Sequence, residues 1–274
     1  MDGESGHEKA REVGGGKMIT AGVDVGIRDT KIIIMDMGHV VGKKKGSSGG
    51  IHRECAIQEI WKGALDDSGL GMPQIDLVAA TGIGACDVVF AGEQVTEPVA
   101  DARAARHYRK DATCVVDIGA DQMRVIFLGE GNAIREVVLN QKCAAGIGIF
   151  FEYMARRLGM TMEEISSLPS GDCGAPVNDG CCVFAELDAL EMLFQDIPKE
   201  DIFRKIICAL SYRMNAVLND KLKPAADTTL LIGGVSKNKA MINALRERSG
   251  IRFIIPEDAE YGCALGAALY AASQ

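Results

Sequence analysis

The chain has 274 residues, enough for a sizeable core and about two domains, and its 47% hydrophobic and 25% charged residues are typical of soluble globular proteins. The net charge of −8 argues against nucleic-acid binding, and no apolar stretch approaches the length of a membrane helix. The N-terminus lacks the basic-then-apolar plan of a signal peptide. We therefore expect a cytoplasmic protein whose nine cysteines do not form a secreted disulfide framework.

The first predicted element after a polar, glycine-rich stretch is a β-hairpin. Residues 1–17 predict a disordered N-terminal extension. From residue 19 a β-branched run enters a short polar turn, and a second apolar run leaves it. Asp24 and Gly26 lie at the turn, where glycine lets backbone N–H groups approach phosphate and the carboxylate can orient a metal-bound water.

A second hairpin repeats this pattern 93 residues later in the chain. Asp117 aligns with Asp24, Gly119 with Gly26, and Arg124 with Lys31. A single Asp-x-Gly turn is more often a hairpin without a ligand. Two copies in register, followed by a third glycine motif, favour two related domains that hold a nucleoside triphosphate between them.

Two cysteines are predicted at the starts of helices between the second hairpin and the third glycine motif. Cys143 follows a strand end and precedes a helix that stops at Gly159, and Cys181 opens a second helix after a glycine. A helix N-terminus favours a thiolate, which suits metal or cluster ligation. One chain supplies two such thiolates and a symmetric dimer supplies four, the number that a 4Fe–4S cluster requires. The alternative is two buried cysteines.

The third glycine motif lies near the C-terminus. An apolar strand ends in Gly233 and Gly234, and a polar turn with Ser236 precedes the next helix. Glycines allow a flat ring to lie on the backbone, and helix N-termini attract anions. Residues 262–269 then form a small-residue helix that we expect to pack tightly against another helix.

Three of these segments resemble motifs of one ATPase family. Residues 142–148 read Lys-Cys-Ala-Ala-Gly-Ile-Gly and resemble the Lys-Cys-Ala-Ala-Gly-Thr-Gly motif of the activators of 2-hydroxyacyl-CoA dehydratases and of the ATP-binding subunits of benzoyl-CoA reductase. Residues 181–186 resemble the family's second motif, Cys-Thr-Val-Phe-Ala-Glu, and residues 24–31 fit its Asp-Ile-Gly-Ser-Thr-x-x-Lys. The cysteine motifs are specific to this family, whereas the phosphate motifs also occur in actin, Hsp70 and sugar kinases.

The resemblance implies an α/β fold of two ribonuclease-H-like domains of the actin/Hsp70/sugar-kinase type with a nucleotide cleft between them. Domain I would comprise residues 18–106 and 256–274, and domain II residues 107–255 with both cysteine-led helices. ATP and Mg²⁺ would occupy the cleft, and Cys143 and Cys181 would hold one 4Fe–4S cluster shared between two subunits. The dimer would be a homodimer or a heterodimer with a related ATPase subunit.

The resemblance also implies a partner and roles for individual residues. Hydrolysis of ATP would drive an electron from reduced ferredoxin or flavodoxin into a CoA-thioester reductase or dehydratase component. Asp24 and Asp117 would orient magnesium and its waters. Glu97 would help to orient water, with a solvated glutamate at a helix start as the alternative. The residues predicted to bind the nucleotide are Gly26, Thr30, Lys31, Gly119, Gly233, Gly234 and Ser236.

Several positions depart from the family pattern and keep other functions open. Ile27 and Arg28 replace small hydroxyl residues of the first turn, and the second hairpin, with Asp121 and Arg124, looks closer to benzoyl-CoA reductase subunits, which form heterodimers. One alternative is a small-molecule kinase of the same fold, with Asp121 as the acid/base residue and no cluster. Another is a regulatory protein that binds ATP but hydrolyses it poorly.

Overall fold

The computed structural model describes residues 18–131, 133–140, 146–171, 174, 177–221 and 228–274. The predicted N-terminal extension and Cys143 lie outside the described residues. Within these ranges, no helix combines the length and the hydropathy needed to cross a bilayer.

The first sheet has five strands in the order β3-β2-β1-β4-β5. Its strands are β1 (Ile19–Val25), β2 (Asp29–Asp36), β3 (His39–Ser47), β4 (Leu77–Thr81) and β5 (Glu93–Gln94). β1 runs antiparallel to β2 and parallel to β4. Helix α1 (Arg53–Ser68) packs against β2 and β3, and helix α8 (Gly262–Ala271) packs against β1, β2 and β4. The central strands are buried because both faces of this sheet are covered, as in other α/β folds.

The second sheet has four strands in the order β8-β7-β6-β9. Its strands are β6 (Cys114–Ile118), β7 (Met123–Leu128), β8 (Ile134–Leu139) and β9 (Thr229–Ile232). Helix α2 (Glu97–Tyr108) leads into this sheet. The helices that follow β8 are α3 (Ile147–Arg157), α4 (Met162–Ser166), α5 (Cys182–Phe194), α6 (Lys199–Lys221) and α7 (Lys239–Ser249). Their apolar residues form the largest core cluster with β6 and β7, and within it Phe151 meets Phe203 edge to face.

The two sheets repeat one design. In each, an antiparallel hairpin leads the sheet, the second-last residue of its first strand is an aspartate, and a later strand pairs parallel to that first strand. Asp24 lies opposite Lys31, and Asp117 lies opposite Arg124. The expected α/β fold with a repeated hairpin is therefore confirmed, while the domain boundaries at residues 106 and 255 stay a prediction.

Helix α8 packs against β1 and α2 through close backbone contacts. A Cβ on Gly22 of β1 would lie 1.9 Å from the carbonyl oxygen of Ala264, and one on Gly266 would lie 1.8 Å from the carbonyl oxygen of Ala100 in α2. No side chain fits at either glycine. Gly22 of β1 and the small residues of α8 thus allow β1 and α2 to approach this helix closely, in line with the tight packing that we expected of a small-residue helix.

Candidate active site

A cavity of about 1170 Å³ lies between the two hairpin turns. Eight of the predicted site residues line it: Asp24, Gly26, Lys31, Glu97, Asp117, Gly119, Gly233 and Gly234. A cavity of this size accommodates a nucleotide, because ligand pockets commonly measure about 300–1,000 Å³.

The first carboxylate, Asp24, is buried at the end of β1. Lys31 lies on the neighbouring strand, with its Nζ 3.6 Å from an Asp24 carboxylate oxygen. Burial raises the pKa of Asp24, and the charge of Lys31 opposes that rise. Gly82 backs the carboxylate at a φ of +88°, where a Cβ would lie 2.8 Å from Oδ1 of Asp24 and 2.5 Å from the carbonyl oxygen of Val25. A side chain at Gly82 would displace the aspartate.

The second carboxylate, Asp117, has the same setting. Gly233 backs it at a φ of +92°, and a Cβ there would lie 2.2 Å from Oδ1 of Asp117. Gly82 is therefore the structural counterpart of Gly233, and the motif pattern alone did not identify it. The available signal was that each glycine directly follows the strand paired parallel to the hairpin, β4 for Gly82 and β9 for Gly233.

Arg124 connects Asp117 to helix α2. Its guanidinium forms an ion pair with Asp117 and lies 2.9 Å from Glu97 and 3.2 Å from Asp101, while the thiol of Cys263 donates to Asp101 at 2.8 Å. Burial raises the pKa of Asp101 to about 8, and burial also raises the pKa of Cys263. Ligand atoms of Asp101, Asp117 and Cys263 lie within 4.8 Å of one another, but the guanidinium bonds to all three. This cluster therefore binds an arginine rather than a metal ion.

The surroundings of the hairpin aspartates fit a divalent cation. Among the described residues, the carboxylates Asp24, Asp117 and Glu97 form ion pairs with two cationic groups, Lys31 and Arg124, and negative charge remains in excess even when Asp101 is counted as protonated. Carboxylate oxygens are the protein ligands that Mg²⁺ prefers. The donor set thus suits Mg²⁺ bound together with phosphate.

The turn glycines act through close approach rather than as hydrogen-bond donors. The N–H of Gly26 donates to the carbonyl of Asp29 at 3.1 Å, and that of Gly119 donates to the carbonyl of Gln122 at 2.9 Å. Each bond closes its own turn. The absence of a Cβ still leaves the turn backbone open to a phosphate group.

Thr30 and Ser236 support these turns from behind the cavity wall. The hydroxyl of Thr30 lies 3.1 Å from that of Ser48, which in turn donates to the carbonyl of Gly26 at 2.7 Å. Ser236 donates to the carbonyl of Gly233 at 2.6 Å. Both predicted nucleotide contacts are buried and hold the positions of residues that do line the cavity.

The Gly233–Gly234 turn leaves space above its backbone. A Cβ on Gly234 would meet no atom within 4 Å, although Gly234 lines the cavity. The following 3₁₀ segment, Gly234–Lys237, leads to helix α7, whose N-cap is Asn238. This surface could accept the flat face of a nucleoside.

The second predicted cysteine begins its helix as expected. Cys181 is the N-cap of α5, its N–H donates to Oδ1 of Asn178 at 2.7 Å, and its side chain is partly exposed and outside any disulfide. Cys181 does not line the nucleotide cavity. Cys143 lies outside the described residues, but the helix that follows it is α3, and Glu186 of α5 accepts hydrogen bonds from Tyr153 and Arg157 of α3.

Two hairpin-led sheets around an acidic, glycine-lined cavity define a nucleotide-binding protein of the actin/Hsp70/sugar-kinase type. Comparison with protein families supports this class and narrows it. The chain belongs to the BadF/BadG/BcrA/BcrD ATPase family, whose model matches residues 21–271. The family resemblance expected from the cysteine motifs is therefore confirmed.

Named relatives include both kinds of protein expected from the motifs. The chain is 30% identical to an activator of lactoyl-CoA dehydratase from Anaerotignum propionicum, over 93% of this chain and 97% of that one. It is 29% identical to one of the subunits of benzoyl-CoA reductase from Thauera aromatica, over 93% of each chain. The activator of the 2-hydroxyisocaproyl-CoA dehydratase from Clostridium difficile, solved with bound ADPNP, superposes with a TM-score of 0.83 at 26% identity, covering 93% of this chain and 94% of that one.

Proposed function

We propose that this protein is an ATP-hydrolysing iron–sulfur protein that passes low-potential electrons to a CoA-thioester reductase or dehydratase. One observation carries the proposal: the second phosphate turn is packed directly on the helix that follows the Cys143 motif. The N–H of Ile149 in α3 donates to the carbonyl of Ala120 at 3.0 Å. A Cβ on Gly148 would lie 2.8 Å from the Cα of Ala120. A movement of the turn on nucleotide hydrolysis would therefore move α3.

In the cleft, the protein's own groups would bind and orient ATP. Asp24 and Asp117 face the cavity from opposite hairpins, and Lys31 and Arg124 hold their carboxylates in place. Magnesium at these carboxylates would supply charge neutralisation for the phosphates. Glu97 lines the cavity and forms an ion pair with Arg124, and it would help to orient a water molecule. Phosphoryl transfer depends mainly on such positioning and electrostatics.

At the start of α5, Cys181 would act as a cluster ligand. It is partly exposed, free of disulfides and located at the start of a helix. With Cys143, each chain would contribute two thiolates and a dimer four. A 4Fe–4S cluster held there would supply one-electron transfer. The hydrogen bonds from Tyr153 and Arg157 to Glu186 would transmit a movement of α3 to α5.

The partner and the electron donor follow from the same proposal. The second hairpin favours a benzoyl-CoA reductase type of partner, and reduced ferredoxin or flavodoxin would charge the cluster in the cytoplasm. The two named relatives are a dehydratase activator and a reductase component at nearly equal identity. The decisive assay therefore offers both classes of partner to the reduced protein with ATP.

The first experiment is anaerobic purification followed by iron and sulfide analysis and EPR of the dithionite-reduced protein. We expect about one 4Fe–4S cluster per dimer, since four thiolates bind one cluster. The signal should be lost in Cys143→Ala and in Cys181→Ala but kept in Cys86→Ala, which removes an exposed cysteine elsewhere in the fold. A colourless protein, even after reconstitution and co-expression with a related subunit, would refute the cluster.

A small-molecule kinase is the second candidate, because Asp121 lines the same cavity and could act as an acid/base residue. This function needs no cluster. Transfer of the γ-phosphate from ATP to a sugar or an acid by iron-free protein, abolished in Asp121→Asn, would support it. ATP hydrolysis that is stimulated only by the reduced cluster or the partner would exclude it.

A further inference from the structure

The first phosphate turn carries a cation that the proposed function does not yet use. Arg28 follows Gly26 and Ile27 in the turn between β1 and β2, and its side chain lines the nucleotide cavity. The side chain is 50% exposed. The aligned position in the second turn is Asp121, so a basic and an acidic side chain face the same cavity from equivalent places.

Arg28 bridges the cavity to the cysteine-led helix. Its guanidinium forms an ion pair with Glu152 of α3, whose side chain is 23% exposed and also lines the cavity. A second carboxylate, Asp29, is 4.0 Å away. Asp29 is also 3.6 Å from Lys45, which in turn forms an ion pair with Glu260 at 2.9 Å. Glu152 is therefore the main partner of Arg28.

Helix α3 is thus attached to the two turns in different ways. The second turn touches it through backbone atoms, since a Cβ on Gly146 would lie 2.5 Å from the carbonyl oxygen of Ala120. Among the described residues, the first turn and α3 are connected by the ion pair between Arg28 and Glu152. A backbone contact of this kind is permanent, whereas an accessible ion pair can exchange partners.

A nucleotide phosphate is a stronger partner for Arg28 than Glu152. A guanidinium binds phosphate oxygens in a planar, two-point geometry, and the terminal phosphate carries more negative charge than a carboxylate. Ile27 and Arg28 occupy the positions where small hydroxyl residues would contact phosphate. Without those hydroxyls, Arg28 is the side chain of this turn that can bind the anion, beside the turn backbone.

We infer that Arg28 binds the terminal phosphates of the nucleotide, and that its ion pair with Glu152 breaks when it does so. The inference rests on the proposed function, since it requires ATP in the cleft. ATP would then release α3 from the first turn, while the nucleotide-free protein keeps the two joined. Glu152 acts as a competitor that lowers the affinity for ATP, and Arg28 as the phosphate ligand.

Nucleotide affinities of the full-length protein test this exchange by calorimetry with ADPNP and AMP. Arg28→Ala should weaken ADPNP binding by about tenfold to a hundredfold, the effect of one lost charge-assisted interaction, and AMP binding by less than about twofold. Glu152→Gln should tighten ADPNP binding several-fold, because the competitor is gone. In the Arg28→Ala background, Glu152→Gln should have no further effect on ADPNP.

Arg204→Ala is the matched control. Arg204 also forms an ion pair with a carboxylate, that of Asp201 within α6, and both side chains are partly exposed. Arg204 does not line the nucleotide cavity and does not contact α3 in this ion pair, so ADPNP affinity should stay at the wild-type value.

The possible failures point to different proposals. If the wild type binds no ADPNP, the proposed function fails and this inference with it. If the wild type binds ADPNP and the Arg28→Ala variant binds it with the same affinity, the phosphate role of Arg28 is wrong. The same conclusion holds if Arg28→Ala weakens AMP binding as strongly as ADPNP binding. If Glu152→Gln leaves ADPNP binding unchanged while Arg28→Ala weakens it, the competition is wrong.

Discussion

Replacement of Arg124 by leucine tests the charge balance of the cleft most directly. The variant removes the ion-pair partner of Asp117 and Glu97 and one hydrogen bond to Asp101. Breaking a buried ion pair by removing one partner costs about 3–5 kcal/mol. We expect about 3 kcal/mol, at the lower end, because the Glu97 side chain is 34% exposed and water solvates it in part. For a chain of this size, this corresponds to a fall in Tm of about 9 °C.

The loss should also depend on pH in a defined direction. Burial already raises the pKa of Glu97 in the folded state, and the charge of Arg124 opposes that rise, so the pKa of Glu97 rises further above its unfolded value without the guanidinium. The loss of unfolding free energy in the variant is then largest at the higher pH, where the carboxylates of the unfolded chain are ionised. This loss becomes smaller at low pH, where the carboxylates bind protons in the unfolded chain as well. The difference in unfolding free energy between wild type and variant should therefore be larger at pH 7.5 than at pH 5.

Urea unfolding at both pH values measures this difference. Arg109→Leu is the control, because Arg109 pairs with Asp111 on the surface, where both side chains are well exposed, and its loss should leave the unfolding midpoint nearly unchanged. The assignment of Arg124 as the counter-ion of the cleft would be refuted if Arg124→Leu lowered the unfolding free energy no more than Arg109→Leu does. It would also be refuted if the loss of unfolding free energy were the same at both pH values.

Two further predictions concern packing and protonation. Gly266→Ala should destabilise the protein by about 2 kcal/mol or more, since its Cβ would lie 1.8 Å from the carbonyl oxygen of Ala100. The control is Gly63→Ala in α1, whose Cβ would meet only the flexible side chain of Lys44, and it should be neutral or stabilising. Thermal unfolding of both variants checks this, and equal effects would contradict it. Burial raises the pKa of Asp101 from 3.8 to about 8, so between these pH values the folded state keeps a proton that the unfolded state has released. The free energy of unfolding should therefore fall as the pH rises through this interval, by up to about 1.4 kcal/mol per pH unit. Asp101→Asn should lose that slope in chemical unfolding, and an unchanged slope would show that another group carries it.

The sequence by itself determined the local elements and the repeated plan. Each hairpin is a short-range feature, an alternation of apolar strands around a turn with aspartate and glycine, and such patterns depend on neighbouring residues. The same holds for the helix start at Cys181 and for the small residues of α8. Because the hairpin occurs twice in register, the repeat also indicated two related sheets with Asp24 and Asp117 at their facing turns.

Tertiary structure decided which side chains meet around those turns. Arg124 contacts Glu97 and Asp101 of α2, and Cys263 of α8 joins them, because the helices cross where glycines allow backbones to touch. No spacing in the chain encodes that meeting, since the segments are far apart in sequence. For the same reason, the pairing of Arg28 with Glu152 is visible only once the first sheet faces α3 across the cavity.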